Sequence, residues 1–333
     1  MSKKIKFKSI KEYENQSEIW SYLLLRSKNL RLTRSSKLYL DIFLSDATGM
    51  ISGKIWENAK EINDKIDKGM VVGVNAIVEE FNEKKQLNIE KIVEIDENEF
   101  EERNFSWELL LPKSKKNTEK LWKNIQKAIE MISNPFLKEL VEDIYSENEK
   151  DLKIFPASMK LHHAFVGGFL EHIESILRMG LIAIRNYEVD KDLVITGILL
   201  HDIGKLIELS GFPNNIYTDA GNFLGHIVLG YSMIQNKIKK IEDFPKELEL
   251  KIEHIILSHQ GKYEYQSPKK PAMPEAIIVH YLDELDSRMN MFQQAIENDI
   301  GDNNWTSLSN YFRIPLYKES EKNEEKSSEK KSK

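Results

Sequence analysis

Six residues in the second half of the chain have the types and spacing of a metal centre. In "LLHDIGK", residues 199–205, His201 and Asp202 stand side by side behind an apolar run. Gly204 opens space beside them and Lys205 follows. His172 precedes this stretch, and His226, His259 and Asp283 follow it at intervals of 24 to 33 residues, one helix plus a loop each time. An imidazole buried beside a carboxylate is costly unless the two are paired or hold a metal. Imidazole nitrogen and carboxylate oxygen suit Zn, Mn, Fe, Co and Ni, and ligands from separate helices can meet in the core of a bundle. A single helical histidine is usually a surface residue or a satisfied core residue. Repeated at these intervals beside aspartates, the set reads as a metal centre. The chain has no cysteine, which excludes disulfides, thiolate zinc sites and cysteine nucleophiles.

The elements that must carry these residues change character along the chain. Up to residue 97 the apolar pattern is that of strands. In "KLYLDIFLSDATGMISGKIW", Leu38, Leu40, Ile42 and Leu44 face one way and Tyr39, Asp41 and Phe43 the other; past the "DATG" turn, Ile51, Gly53 and Ile55 face inward. "IWSYLLLR" in front, with "MVVGVNAIVEEF" and "KQLNIEKIVEI" behind, brings the count to about five strands. "ENAKEINDKIDKG" reads as a short helix between the third and fourth. That order matches a small OB-type barrel. Residues 98–115 form an acidic connector. From 116 to 315, apolar residues recur at i, i+3 and i+4, broken by prolines, glycines and asparagines, which predicts an all-α domain. The expected fold class is therefore multidomain, a small all-β OB-fold barrel followed by an all-α helical bundle. Residues 316–333 read as a charged, disordered tail.

The pattern H…HD…D, here His172, His201–Asp202 and Asp283, resembles the HD-domain metal-dependent phosphohydrolases, which implies that these four residues hold a divalent metal. His226 in "GHIVLG" and His259 in "ILSHQG" are similar to the second-metal ligands of the binuclear members, where the aspartate of the HD pair bridges. Related binuclear sequences often carry two histidines at the His259 position, whereas this chain has His259–Gln260. Gln260 either binds through its oxygen or leaves a place for water. The likeness extends further. "LHHAFVGGFLEH", "LLHDIGK", "GHIVLG" and "ILSHQGKYEYQSPKKPAMPEAIIVHYLDELDSRM", behind a β-barrel, resemble the YhaM-type bacterial 3′–5′ exoribonucleases over about residues 10–315. The resemblance implies an OB-fold joined to an HD domain and hydrolysis of single-stranded RNA, with single-stranded DNA as a further substrate. It also implies two divalent ions per centre, Mn first and Co, Fe or Ni also suited.

That chemistry needs a nucleophile at neutral pH and neutralised charge, which two metals supply to a phosphodiester. Asp202, with two oxygens to share, is the natural bridge. Lys205, three residues on, either offers its charge to a phosphoryl oxygen or is a solvated lysine at a helix end. His162 and His163, ahead of Gly167–Gly168, either contact the scissile phosphate and its leaving group or cap and pack. His254 lies on another helix face from His259 and is either a substrate contact or structural.

Net charge is −6, so nucleic-acid binding must come from a local patch. The candidate is the basic loop "RSKNLRLTRSSK", with Arg31, Arg34 and Lys37, beside the outward Tyr39, Phe43, Lys54 and Trp56. Rings beside a basic loop supply stacking and phosphate contacts to a single strand; alternatively Phe43 or Trp56 packs under the connector. No apolar run approaches the ~18 residues of a membrane span and no secretory h-region is evident, so a cytoplasmic protein without a membrane partner is expected. A homo-oligomer is left open. Two other functions remain in view: an HD phosphohydrolase of a small or cyclic nucleotide, and a single-strand-binding protein with an inactive centre.

Overall fold

The computed structural model describes residues 8–33, 35–81, 84–95, 109–159, 161–297, 299 and 303–319. Arg34, the connector over 98–108 and the tail over 320–333 lie outside the described residues. The chain divides into two compact units, Met1–Lys115 with Ser210–Ile216 and Lys116–Leu209 with Tyr217–Lys333.

The first unit holds a closed five-stranded barrel. Its strands are β1 (Glu18–Leu32), β2 (Leu38–Asp46), β3 (Gly49–Ile55), β4 (Val71–Phe81) and β5 (Lys84–Glu94), with the helix α1 (Ala59–Lys65) between β3 and β4. The order around the barrel is β1-β2-β3-β5-β4, antiparallel except for the parallel β3–β5 pair that closes it. Period-2 alternation places Leu40, Ile42, Leu44, Ile51 and Ile55 in the core, where they pack with Val72, Val74, Val78 and Leu87. Tyr39, Phe43, Lys54 and Trp56 take the other face. Two details differ from the sequence reading. Leu38, expected inward, is 39% exposed, because it opens the strand before the barrel wall covers it. The stretch read as a basic loop is mostly β1, a 15-residue strand that pairs with β4 in its first half and with β2 in its second. A bulge between Leu25 and Ser27 lets this one strand turn the barrel corner.

The second unit is helical: α2 (Thr118–Glu130), α3 (Pro135–Glu147), α4 (Glu149–Ile154), α5 (Gly168–Asn186), α6 (Lys191–Leu200), α7 (Lys205–Glu208), α8 (Asp219–Ile238), α9 (Lys246–Ser258) and α10 (Pro274–Glu297). Asn117, Asn134 and Asp190 cap α2, α3 and α6 with their side-chain oxygens. α6 is the central helix. Every residue from Asp192 to Leu200 is buried, against α3, α5, α9 and α10. Such a helix needs no polar face, which explains the unbroken apolar run before the histidine–aspartate pair. In the structure α6 ends at Leu200, and residues 201–204 turn before α7. Among the described residues, no helix is long and apolar enough to cross a membrane.

Candidate functional site

Five segments converge inside the helical unit. His172 comes from α5, His201 and Asp202 from the turn after α6, His226 from α8, His259 from the residue after α9, and Asp283 from α10. His172, His201 and His259 are fully buried and Asp202 is 1% exposed. Two helices end with the same device. His201 closes α6 and His259 closes α9, and each imidazole Nδ1 bonds the carbonyl three residues back, Ile198 O at 2.9 Å and Ile256 O at 2.7 Å. A carbonyl can only accept, so Nδ1 carries the proton and the Nε2 lone pair is left to face the centre. The bond also satisfies a carbonyl that the helix end leaves unpaired. The other two histidines are held by carboxylates: His172 Nδ1 lies 2.8 Å from Asp286 Oδ2 and His226 Nδ1 3.0 Å from Glu208 Oε1.

Backbone geometry aims His226. Gly225 breaks the α8 ladder at φ 70°, ψ 160°, a conformation open to glycine and strained for other residues. The His226 N–H it frees donates to Glu208 Oε1 at 2.9 Å. Gly204 has a different role. A Cβ there would stand 2.0 Å from His226 O and 2.4 Å from Gly230 N, so its absence lets the α6–α7 turn touch α8. The space beside the histidine–aspartate pair, read from the sequence, is filled by backbone.

The two oxygens of Asp202 face different histidines. Oδ2 is 3.5 Å from His172 Nε2 and 3.4 Å from His201 Nε2. Oδ1 is 3.6 Å from His226 Nε2 and 3.7 Å from His259 Nε2. Asp283 Oδ1 joins the first group at 3.3 Å from His172 Nε2. The residues thus fall into two donor sets that share Asp202, one with His172, His201 and Asp283 and one with His226 and His259. Donors each about 2.1 Å from one cation stand roughly 3.0 to 3.4 Å apart, near the separations observed. The four Nε2 atoms and Asp202 Oδ1 are buried without a hydrogen-bond partner. Buried polar atoms are normally paired, and this convergence fits a divalent cation in each set. The six residues read from the sequence as candidate ligands lie together in these two groups.

Electrostatics follow from burial and from these neighbours. Burial and the adjoining His201 and His226 push His259 down to about 3, which keeps it a neutral donor. Burial opposes charge on Asp202, yet Lys205 and His201 hold its carboxyl well below the usual range. Lys205 reaches the centre as expected, but it is not a solvated lysine: it is buried, with Nζ 2.5 Å from Asp202 Oδ2. A cavity of about 390 Å³ opens over the centre, lined by His162, Lys205, His226, His259, Gln260 and Asp283, with Tyr265, Arg288 and Tyr311 in its walls. Both ring nitrogens of His162 are buried there without a partner. Burial, with Lys205 and His172 nearby, holds its pKa well below the ordinary imidazole value.

Other candidates part company with the cluster. His163 does not line the cavity; its Nε2 is committed to Asp286 Oδ2 at 3.0 Å. His254 is engaged elsewhere, with Nε2 accepting from Ala272 N at 2.8 Å, so it positions a loop. Two further residues do line the cavity: His280, whose Nδ1 bonds His259 O at 2.7 Å, and Arg288, held by Glu284 at 2.8 Å. Asp286 and Glu208 escaped the sequence reading. Their signal was periodic: each lies three residues past a chosen residue, Asp283 or Lys205.

On the barrel, Tyr39 and Trp56 stack at 5.0 Å between ring centroids. Lys54 Nζ stands 5.9, 5.7 and 5.5 Å from the rings of Tyr39, Trp56 and Phe81. Phe43 and Phe81 are 42% and 58% exposed. Trp56 is not packed away; with Lys37 it lines a shallow cavity of about 770 Å³. The basic residues are less free than a loop would leave them. Arg31 pairs with Asp41 at 3.3 Å, Lys28 with Asp67 at 2.8 Å, and Arg26 donates to Ser45 Oγ at 2.7 Å. Cross-strand pairing causes the first, since Arg31 stands beside Tyr39 and Asp41 lies two residues along β2. Phe81, at the end of β4, was missed because nothing in linear order brings it to Lys54.

Comparison with known proteins agrees with both halves. Residues 166–288 match the HD domain, and residues 25–95 match an OB-fold nucleic acid binding domain. Similar solved structures include the second OB-fold domain of replication protein A from Methanococcus maripaludis, 18% identical over 28% of this chain and 97% of that one, TM-score 0.23. Another is the replication factor A related protein from Methanobacterium thermoautotrophicum, 16% identical over 29% of this chain and 96% of that one, TM-score 0.24. The chain carries a five-stranded OB-fold barrel followed by a helical region that holds an HD domain, and that domain points to a metal-dependent hydrolase.

Proposed function

We propose that the chain is a metal-dependent 3′–5′ exoribonuclease, hydrolysing phosphodiester bonds of single-stranded RNA, and of single-stranded DNA as a further substrate, to nucleoside monophosphates. One observation carries the reading: Asp202 is a carboxylate shared between two donor sets, the arrangement a two-metal phosphodiesterase requires. His172, His201, Asp202 and Asp283 would hold one ion, and Asp202, His226 and His259 the other. Such ions supply Lewis acidity and water of lowered pKa. The chain's own residues do the rest. Lys205 keeps a positive charge beside Asp202, where phosphoryl charge develops. His162 is neutral and faces the cavity, so its bare ring nitrogen can accept a proton from a bound nucleophile while its N–H donates a hydrogen bond to a phosphoryl oxygen. Burial of Asp202, Lys205 and the ring of His259 lowers the local dielectric, which strengthens these interactions. The rings of Tyr39, Trp56 and Phe81 around Lys54 offer stacking and charge to a strand. The 3′-to-5′ polarity rests on the likeness of residues 259–289 to the YhaM-type enzymes.

The test is a 5′-labelled single-stranded RNA incubated with the protein and Mn²⁺, alongside EDTA and Asp202→Ala controls. A metal-dependent ladder shortening from the 3′ end is expected. Intact RNA together with hydrolysis of free or cyclic nucleotides would sink the reading in favour of a small-nucleotide phosphohydrolase. Binding with no turnover of either substrate would make the protein a binding module.

A further inference from the structure

One oxygen of Asp286 serves two imidazoles. Oδ2 lies 2.8 Å from His172 Nδ1 and 3.0 Å from His163 Nε2. The first contact fixes the tautomer that turns His172 Nε2 to the donor set. The second holds a loop, because His163 stands at φ 47°, a conformation that costs a non-glycine residue about 1–2 kcal/mol and needs outside support. That support comes from α10. Asp286 takes the ring, and Asn290, one turn on, accepts from His163 N at 2.9 Å. The adjoining residue is His162, whose carbonyl accepts from Ser158 Oγ at 2.7 Å and whose unpartnered ring lies 5.4 Å from that of His172.

We propose that Asp286 is a positioning residue that couples the metal ligand His172 to the loop carrying His162, so that filling the centre and fixing His162 over the cavity are one event. The inference rests on the metal-centre reading above. A cation drawing on His172 Nε2 polarises its Nδ1–H and tightens the bond to Asp286, and the loop anchored on the same oxygen loses freedom. Coupling of this kind is reciprocal: whatever loosens the His172–Asp286 contact frees the loop, and metal binding orders it.

Hydrogen exchange and calorimetric Mn²⁺ titration on the full chain test it. In the wild type, Mn²⁺ should slow exchange of amides 161–165 at least roughly fivefold, the lower end of ordinary coupling. Asp286→Ala should lower Mn²⁺ affinity roughly 10–100-fold, the usual cost of a lost partner to a metal-binding histidine, and abolish the metal-dependent protection. His163→Ala separates the two roles. Its loop should exchange fast with or without metal, while Mn²⁺ affinity falls by no more than the coupling itself. Asp286→Glu should restore part of both effects, which rescue of a merely packed residue would not. If Mn²⁺ binds the wild type and leaves the exchange of the loop unchanged, or if Asp286→Ala binds Mn²⁺ normally, the coupling is wrong and the metal centre stands. If the wild type binds no divalent ion, the metal-centre reading itself fails.

Discussion

The centre of the helical unit and the outer face of the barrel are opposites. In the first, polar atoms are buried without partners: four imidazole nitrogens and a carboxylate oxygen face one another. In the second, apolar rings stand exposed: Phe43, Trp56 and Phe81 are 42%, 38% and 58% accessible. Folding alone would avoid both, since an unpaired buried polar atom and an uncovered ring each cost free energy. The difference teaches which ligand each region suits. A compact cation satisfies converging lone pairs, and flat apolar bases with phosphates satisfy rings around a lysine.

Breaking the buried side should have the largest effect. Asp202→Ala removes the shared carboxylate, so calorimetric titration should show both Mn²⁺ steps weakened by more than about 100-fold, beyond the cost of an outer partner. Retention of either step at wild-type affinity would mean that the two sets do not share it. On the exposed side, Tyr39→Ala with Trp56→Ala should weaken oligonucleotide binding by ~1–3 kcal/mol per lost stacking base, read by fluorescence anisotropy. Mn²⁺ titration and turnover of a dinucleotide should stay unchanged. Equal losses on long and short substrates would remove the strand-guiding role. Glu208→Ala sharpens the buried side, because its carboxylate bonds both the His226 N–H and the His226 ring. One of two metal steps should fall roughly 10–100-fold while the other persists. The smallest effect belongs to Lys54→Gln. Loss of its ring contacts should cost about 0.5–1 kcal/mol in oligonucleotide affinity, and the salt dependence of binding should flatten by about one ion. An unchanged salt slope would show that Lys54 meets no phosphate.

Legibility in the sequence differed between the two regions. The candidate ligands were readable because histidine and aspartate interrupting apolar runs have few other uses. Their orienting partners were not, because Asp286 sits on an exposed-looking stretch, "DELDSRMN", that also supplies Glu284 and Arg288 to a surface pair. On the barrel, alternation identified the face of Tyr39 and Phe43 but not the state of Arg31. Register alone brings Arg31 to Asp41, and one residue of slip would have left it free.

The sequence by itself determined the strand-then-helix order, the apolar burial of α6 and the identity of six candidate ligands, because periodicity and residue chemistry are local properties. Only the tertiary structure decided that α6 stops before His201, that Asp202 divides its oxygens between two histidine pairs, and that one oxygen of Asp286 serves both His163 and His172. Those outcomes depend on ångström-scale distances between segments as much as 123 residues apart, set by helix packing and by close approaches such as Gly204 against α8. No one-dimensional pattern encodes them.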